Sequence, residues 1–208
     1  MTTPDLALYH APMTRSIRPR WALEEMGLPY RMEMVSFDRG NVGGEEYRAI
    51  NPLQKVPALT DGGAVILESV AIVEYLGNRY GPSPLIVRPE EDDYPRYLEW
   101  LHYGEGSMSM SVNLLLAHTM LLPEKHRNPQ LAQWAKAEVG KHLAHIAGRG
   151  LDGREHMAAG RFTAADISVT YMLYLLKLMG QLEDAPEAVK AYWTRLTAMD
   201  SWKTASGR

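Results

Sequence analysis

The chain has 208 residues, 46% of them apolar, and a net charge of -3 from 22 basic and 25 acidic side chains. That is apolar material for one large or two small domains, and the slight acidity argues against a nucleic-acid-binding surface. Cysteine is absent, which excludes a disulfide, a thiolate metal site and a cysteine nucleophile, so any thiol chemistry must use the sulfur of a bound molecule.

The opening MTTPDLALYH lacks the basic start and apolar run of a secretory signal. The longest apolar stretch, residues 167–179, is too short and interrupted to cross a bilayer. A cytoplasmic enzyme or binding protein is expected. Residues 6–9 read as a short strand and 10–16 as a turn. A helix follows over 19–26, with Pro19 in its first turn and Gly27 and Pro29 stopping it. Residues 31–35 form a second strand, and the Gly-rich 36–44 a loop. Val56-Pro57 opens a strand at 58–60, because proline cannot donate to a ladder and sits at a strand's start or edge. Asp61, Gly62 and Gly63 turn the chain into a second strand at 65–67. Glu68-Ser69 then leads into a helix with Ile72, Val73, Leu76 and Tyr80 on one face. Ser69 can cap that helix, beside amides that favour an anion.

Residues 82–92 form a linker that begins in a Pro-rich run. The acidic residues at 90–93 read as the first turn of a helix, offsetting its dipole. Two stripes share the helix that follows. One is Tyr97, Leu101, Gly104, Met108, Ser111 and Leu115; the other is Trp100, Tyr103, Ser107 and Met110. Residues 131–147 form another amphipathic helix, whose His142 and His145 read as surface side chains because no third metal ligand accompanies them. Thr163 and Asp166 have the spacing of a capping box, ahead of a helix apolar nearly all round. A last helix covers 185–199, and the tail from Ser201 reads as loose. The expected architecture is an α/β thioredoxin-like domain over 1–81 followed by an all-helical domain over 93–208.

In combination, Asn51, Pro52, Val56, Pro57, Leu59, Glu68 and Ser69 resemble the glutathione-binding half of the cytosolic glutathione transferases, of bacterial type. The Val56-Pro57 bond resembles that family's cis-proline. The resemblance implies a homodimer with no membrane or nucleic-acid partner, and glutathione as co-substrate without a metal. Glu68 would pair with the γ-glutamyl amine, and Ser69 with the helix amides would hold its carboxylate. The Val56 backbone, followed by Pro57, would pair with the cysteinyl unit like an added strand. Lys55 and Arg39 would meet the glycine carboxylate. Standing alone, Glu68-Ser69 reads as an ordinary helix cap; the Val56-Pro57 context favours the binding role.

Catalysis requires the thiol pKa to fall, which a hydroxyl or cation beside the sulfur achieves. The family places that group after the first strand. Here Met13 falls where several classes have serine, Thr14 on the adjacent hydroxyl position, and Arg15 where a bacterial class has cysteine. Thr14 is the expected donor, Arg15 the stabilising cation and Ser16 the reserve; the alternative is that these residues only cap the next helix. Tyr9 belongs to the strand. Met13, Trp100, Tyr103, Ser107 and Met110 would line the pocket for a small hydrophobic electrophile, with core or dimer packing as the alternative for the stripe. The implied reaction is thiolate attack. The rivals are a non-catalytic binding or scaffold module, and a glutathione-dependent peroxidase or disulfide reductase at the same site.

Overall fold

The structure, a computed structural model, describes residues 5–38 and 41–207. The elements in chain order are β1 (Leu6–His10), α1 (Ile17–Met26), β2 (Arg31–Met34), β3 (Phe37–Asp38), β4 (Asn41–Val42), α2 (Gly44–Ile50), β5 (Ala58–Asp61), β6 (Ala64–Leu67) and α3 (Ser69–Arg79). Helices follow: α4 (Tyr94–Gly106), α5 (Met108–Leu116), α6 (Pro129–His145), α7 (Ala164–Leu178), α8 (Glu187–Thr197) and α9 (Asp200–Ser206). The segment expected as a loop at 36–44 carries the small β3–β4 hairpin, Phe37 facing Val42.

Two compact units emerge. One runs to Ile86 and takes in the chain from Ala198 onward; the other is Val87–Thr197. The first is thioredoxin-like. Its mixed sheet has the order β2-β1-β5-β6, with β1 parallel to β2 and antiparallel to β5, and β5 antiparallel to β6. Alternation along β1 sends Leu8, opposite Leu59, to one face and Tyr9, opposite Ala58, to the other. On the second face Ala11, Val35, Tyr47, Val56 and Ala58 form one apolar cluster, with the Tyr9 and Tyr47 rings 5.3 Å apart. Ile17, Trp21 and Leu23 of α1 and Ile72 and Leu76 of α3 are buried. Gly27 ends α1 at φ 61, a left-handed turn in which the Leu28 N–H returns to the Leu23 carbonyl.

Residues 201–206 are not a loose tail. Trp202 and Ala205, three positions apart, give α9 an apolar stripe that packs on α1. The Trp21 and Trp202 rings meet edge-on at 4.8 Å, a contact worth about 0.5–1.5 kcal/mol beyond burial. Trp21 Nε1 donates to Ser201 Oγ over 3.0 Å, and the Ser201 hydroxyl donates to Glu25 Oε2 over 2.6 Å. The expected assignment of all of 93–208 to the helical domain therefore gives way for α9.

The second unit is built on α7, whose residues 164–176 are all buried. A Cβ on Gly104 would run into the Ser168 backbone, so glycine permits the close approach of α4 to α7. The capping box is present: Asp166 Oδ2 accepts from the Thr163 N–H at 2.8 Å and the Thr163 hydroxyl at 3.0 Å. Its Oδ1 accepts from the Met157 N–H and the Tyr192 hydroxyl, each at 2.9 Å. The acidic run lies before α4 rather than in its first turn. Glu91 pairs with both ends of the Arg161 guanidinium, and Asp93 accepts from the Ala159 N–H and Arg154.

Candidate functional site

Three segments of the thioredoxin-like unit meet at one end of its sheet. Tyr9↔Ala58 and Ala58↔Leu67 are the terminal ladder pairs there. The chain leaving β1, the Val56-Pro57 pair entering β5 and the Glu68-Ser69 pair leaving β6 are thus adjacent by register. The Val56-Pro57 peptide is cis. Pairing stops at Ala58, so the Val56 N–H and C=O stand outside the ladder, while its side chain joins the apolar cluster with Ala11 and Tyr47.

The start of α3 differs from the expected cap. Glu68, not Ser69, occupies the cap position, and its side chain makes no capping hydrogen bond. Glu68 is exposed, at φ 70 and ψ 116, a conformation that costs a residue with a Cβ on the order of 1–3 kcal/mol. Ser69 is the first helical residue and is buried; its hydroxyl oxygen accepts from Arg18 Nη1 at 3.1 Å. With no side-chain cap, the first amides of the 11-residue α3 are oriented to receive an anion, helped by the helix dipole.

The turn after β1 separates its four candidates. Met13 is exposed at φ 59. Thr14 and Arg15 are half-buried. Ser16 is fully buried; it precedes α1 without a side-chain cap bond, so the capping alternative does not describe its hydroxyl. Ser16 Oγ lies 2.7 Å from His10 Nδ1 and 2.7 Å from Thr14 Oγ1, and it accepts from the Ala11 N–H at 3.3 Å. The Thr14 hydroxyl donates to the Ala11 carbonyl over 2.7 Å. His10 is 3% exposed; burial first, and then the charge of Arg20, push its pKa down to about 4, so the ring is neutral at ordinary pH. Neither His10 nor Arg18 stood out in the sequence. The only local hint was a polar residue at the end of an apolar strand.

A family model described as "Glutathione S-transferase, N-terminal domain" matches residues 4–78. Glutathione S-transferase 3 of Schizosaccharomyces pombe is 30% identical over 185 residues, covering 81% of this chain and 73% of its own length. The chain belongs to the glutathione transferase family. A sphingomonad glutathione S-transferase solved with glutathione is 26% identical, with a TM-score of 0.83 and 97% of each chain covered. Ure2p in complex with glutathione shares the fold at a TM-score of 0.87 and 17% identity, covering 100% of this chain and 95% of its own. The relatives include fungal, plant, mammalian and bacterial proteins, so it is the family rather than a bacterial class that is established.

In this family member the loop carrying Lys55 is firmly held. The Lys55 carbonyl accepts from the Tyr47 hydroxyl and from Asn51 Nδ2, both at 2.6 Å, while the residue itself is exposed. Gln54 Nε2 donates to the Val42 carbonyl at 2.9 Å, tying the β3–β4 hairpin to the same loop. Arg39 lies outside the described residues.

The second stripe divides because the helix breaks at Ser107 into α4 and α5. Trp100 is fully buried, its ring tilted against Tyr103 at 4.8 Å and His145 at 5.4 Å. Tyr103 is half-buried, and its hydroxyl lies 2.6 Å from His142 Nδ1. Ser107 and Met110 are exposed. His142 and His145 are thus not surface side chains; both pack against the α4 aromatics, and burial lowers the His142 pKa. Among the described residues no helix is long and apolar enough to cross a membrane, and no group of three or more His, Asp or Glu could hold a metal ion.

Proposed function

We propose that the protein is a working glutathione transferase that lowers the pKa of the bound glutathione thiol and directs the thiolate at a small apolar electrophile. Glu68 pairs with the γ-glutamyl amine, and Ser69 with the α3 amides takes the carboxylate. The Val56 backbone ahead of Pro57 pairs with the cysteinyl unit. Lys55 and Arg39 meet the glycine carboxylate. Thr14 is the hydroxyl that faces the sulfur, Arg15 the cation that favours the thiolate, and Ser16 acts from behind Thr14. Met13, Tyr103, Ser107 and Met110 are the candidates to touch the electrophile, with Trp100 supporting Tyr103. The reading includes a cytoplasmic homodimer.

One observation carries it: at the end of the sheet where Val56 leaves the ladder, neither Glu68 nor Ser69 is spent on capping α3. A strained, exposed glutamate beside uncapped amides suits a ligand bearing both an amine and a carboxylate.

The test is the ultraviolet difference spectrum of glutathione added to the protein across pH. A thiolate band near neutral pH that weakens in Thr14→Val and Arg15→Ala supports the transferase reading. Met13, at the position where a hydroxyl is usual, favours a second reading, a module that holds glutathione without activating it. Calorimetric binding with no thiolate band would select that one. If the band forms, aryl halides, peroxides and disulfides tested side by side separate transfer from peroxidase or reductase activity.

A further inference from the structure

We propose that His10 and Ser16 are positioning residues for thiol activation, forming with Thr14 a one-directional hydrogen-bond chain, His10 Nδ1–H to Ser16 Oγ–H to Thr14 Oγ1–H, that ends on the glutathione sulfur. This rests on the reading of Thr14 as the group facing the thiol.

The argument is an accounting of hydrogens. Each hydroxyl has one hydrogen to give. The Thr14 hydrogen points at the Ala11 carbonyl, 2.7 Å away. To donate to sulfur it must leave that carbonyl, which then needs another donor. Ser16 Oγ lies 2.7 Å from Thr14 Oγ1 and 3.1 Å from the Ala11 carbonyl, so its one hydrogen, donated to Thr14 Oγ1, is shared with that carbonyl in a three-centre bond as Thr14 turns away. Thr14 Oγ1 meanwhile keeps the Ser16 N–H, at 3.4 Å. Ser16 in turn needs a donor, and it has two: the Ala11 N–H at 3.3 Å and His10 Nδ1 at 2.7 Å.

Direction depends on the ring. With the proton on Nδ1, His10 donates to Ser16, and both hydroxyl hydrogens are left to run toward Ala11 and Thr14. With the proton on Nε2, Ser16 must donate back into the ring, and Thr14 loses the support behind it. The ring stays neutral and is only 3% exposed, and Ser16 is fully buried, so water does not substitute for either. The thiol proton leaves to solvent. No proton is taken up by the chain of groups; only the hydrogen bonds are re-aimed, and the sulfur gains a donor whose oxygen is itself polarised by the two groups behind it.

The experiment measures the pKa of bound glutathione from its thiolate absorbance in the wild type, Thr14→Val, Ser16→Ala, His10→Phe and His10→Asn. Binding of S-methylglutathione and circular dichroism serve as controls for the site and the fold. An asparagine amide can replace the Nδ1 donor; phenylalanine fills the space without one. Ser16→Ala and His10→Phe are expected to raise the thiol pKa by about one, a tenfold loss of thiolate at pH below it. His10→Asn is expected to stay near wild type, and S-methylglutathione affinity to hold throughout. A thiol pKa that moves in Thr14→Val but not in Ser16→Ala or His10→Phe overturns the chain and leaves the Thr14 reading intact. A thiol pKa unmoved in Thr14→Val overturns both. If His10→Phe fails to fold, Ser16→Ala alone decides the same way.

Discussion

Arg18 Nη1 donates to Ser69 Oγ over 3.1 Å, and neither side chain is more than 3% exposed. The two residues are 51 apart in the chain. With its oxygen accepting from a cation, the Ser69 hydroxyl keeps its own hydrogen to give, and the reading above gives it to the γ-glutamyl carboxylate. The guanidinium also places a positive charge behind that anion. Arg18→Lys and Ser69→Ala should each weaken glutathione binding about tenfold, in line with roughly 1–3 kcal/mol for a charge-assisted bond. The double variant should lose much less than the sum, since both act on one interaction. Isothermal titration of the four proteins checks this; fully additive losses would show that Arg18 acts elsewhere.

Glu68 gives a prediction of opposite signs. Its φ of 70 suits glycine, not a residue with a Cβ. Glu68→Gly should raise the unfolding free energy by about 1 kcal/mol while reducing glutathione affinity by at least tenfold. Urea unfolding and calorimetry on the same sample separate the two effects, and a variant that loses both stability and binding would contradict the strain argument.

The pH dependence follows from His10. Its pKa falls from 6.5 in the unfolded chain to about 4 in the fold, so between these values the unfolded chain binds the extra proton. The contribution of His10 to stability is therefore fully present above pH 6.5 and is lost as the pH drops toward 4. The thermal midpoint of the wild type should fall more steeply across that window than that of His10→Asn, which has no ring to protonate. Parallel curves would mean that the ring titrates alike in both states.

Asp166 anchors four donors: two on Thr163, the Met157 N–H and the Tyr192 hydroxyl. Asp166→Ala leaves buried donors unpaired and should cost about 3 kcal/mol or more. Thr163→Ala, which keeps most of them, should cost about 1 kcal/mol. Differential scanning calorimetry reads this as a drop of at least roughly 6 °C against 2–4 °C for a protein of this size. Equal drops would place the stabilisation in the threonine alone.

What could be read from the sequence was what lies close along it. Thr163 and Asp166 are three residues apart, and their box follows from helix geometry. The β5–β6 hairpin and the family segment from Asn51 to Ser69 are continuous stretches whose residue types carry their own turn chemistry. Arg18 and Ser69 were opaque because their meeting depends on how α1 and α3 pack, and nothing local to either helix predicts it. His10 and Ser16 are six residues apart, but the turn that folds one over the other has no regular period. Trp202 is not legible from the sequence because a seven-residue helix whose other side chains are mostly Asp, Ser, Lys and Thr looks polar until Trp21 supplies a partner. The Trp100 stripe is not one continuous face for a different reason: a single helical period does not run through Ser107, where the backbone stops one helix and begins another.

The position of α9 has a consequence for how the protein is made. The thioredoxin-like half comes first in the chain, yet its hydrophobic contacts close only when Trp202 arrives against Trp21. On the ribosome the whole helical unit is synthesised before that closure, so the half translated first is among the last to be sealed. A nonsense codon or protease cut near residue 199 would spare every helix of the second unit and strike instead at the far end of the polypeptide, beneath α1.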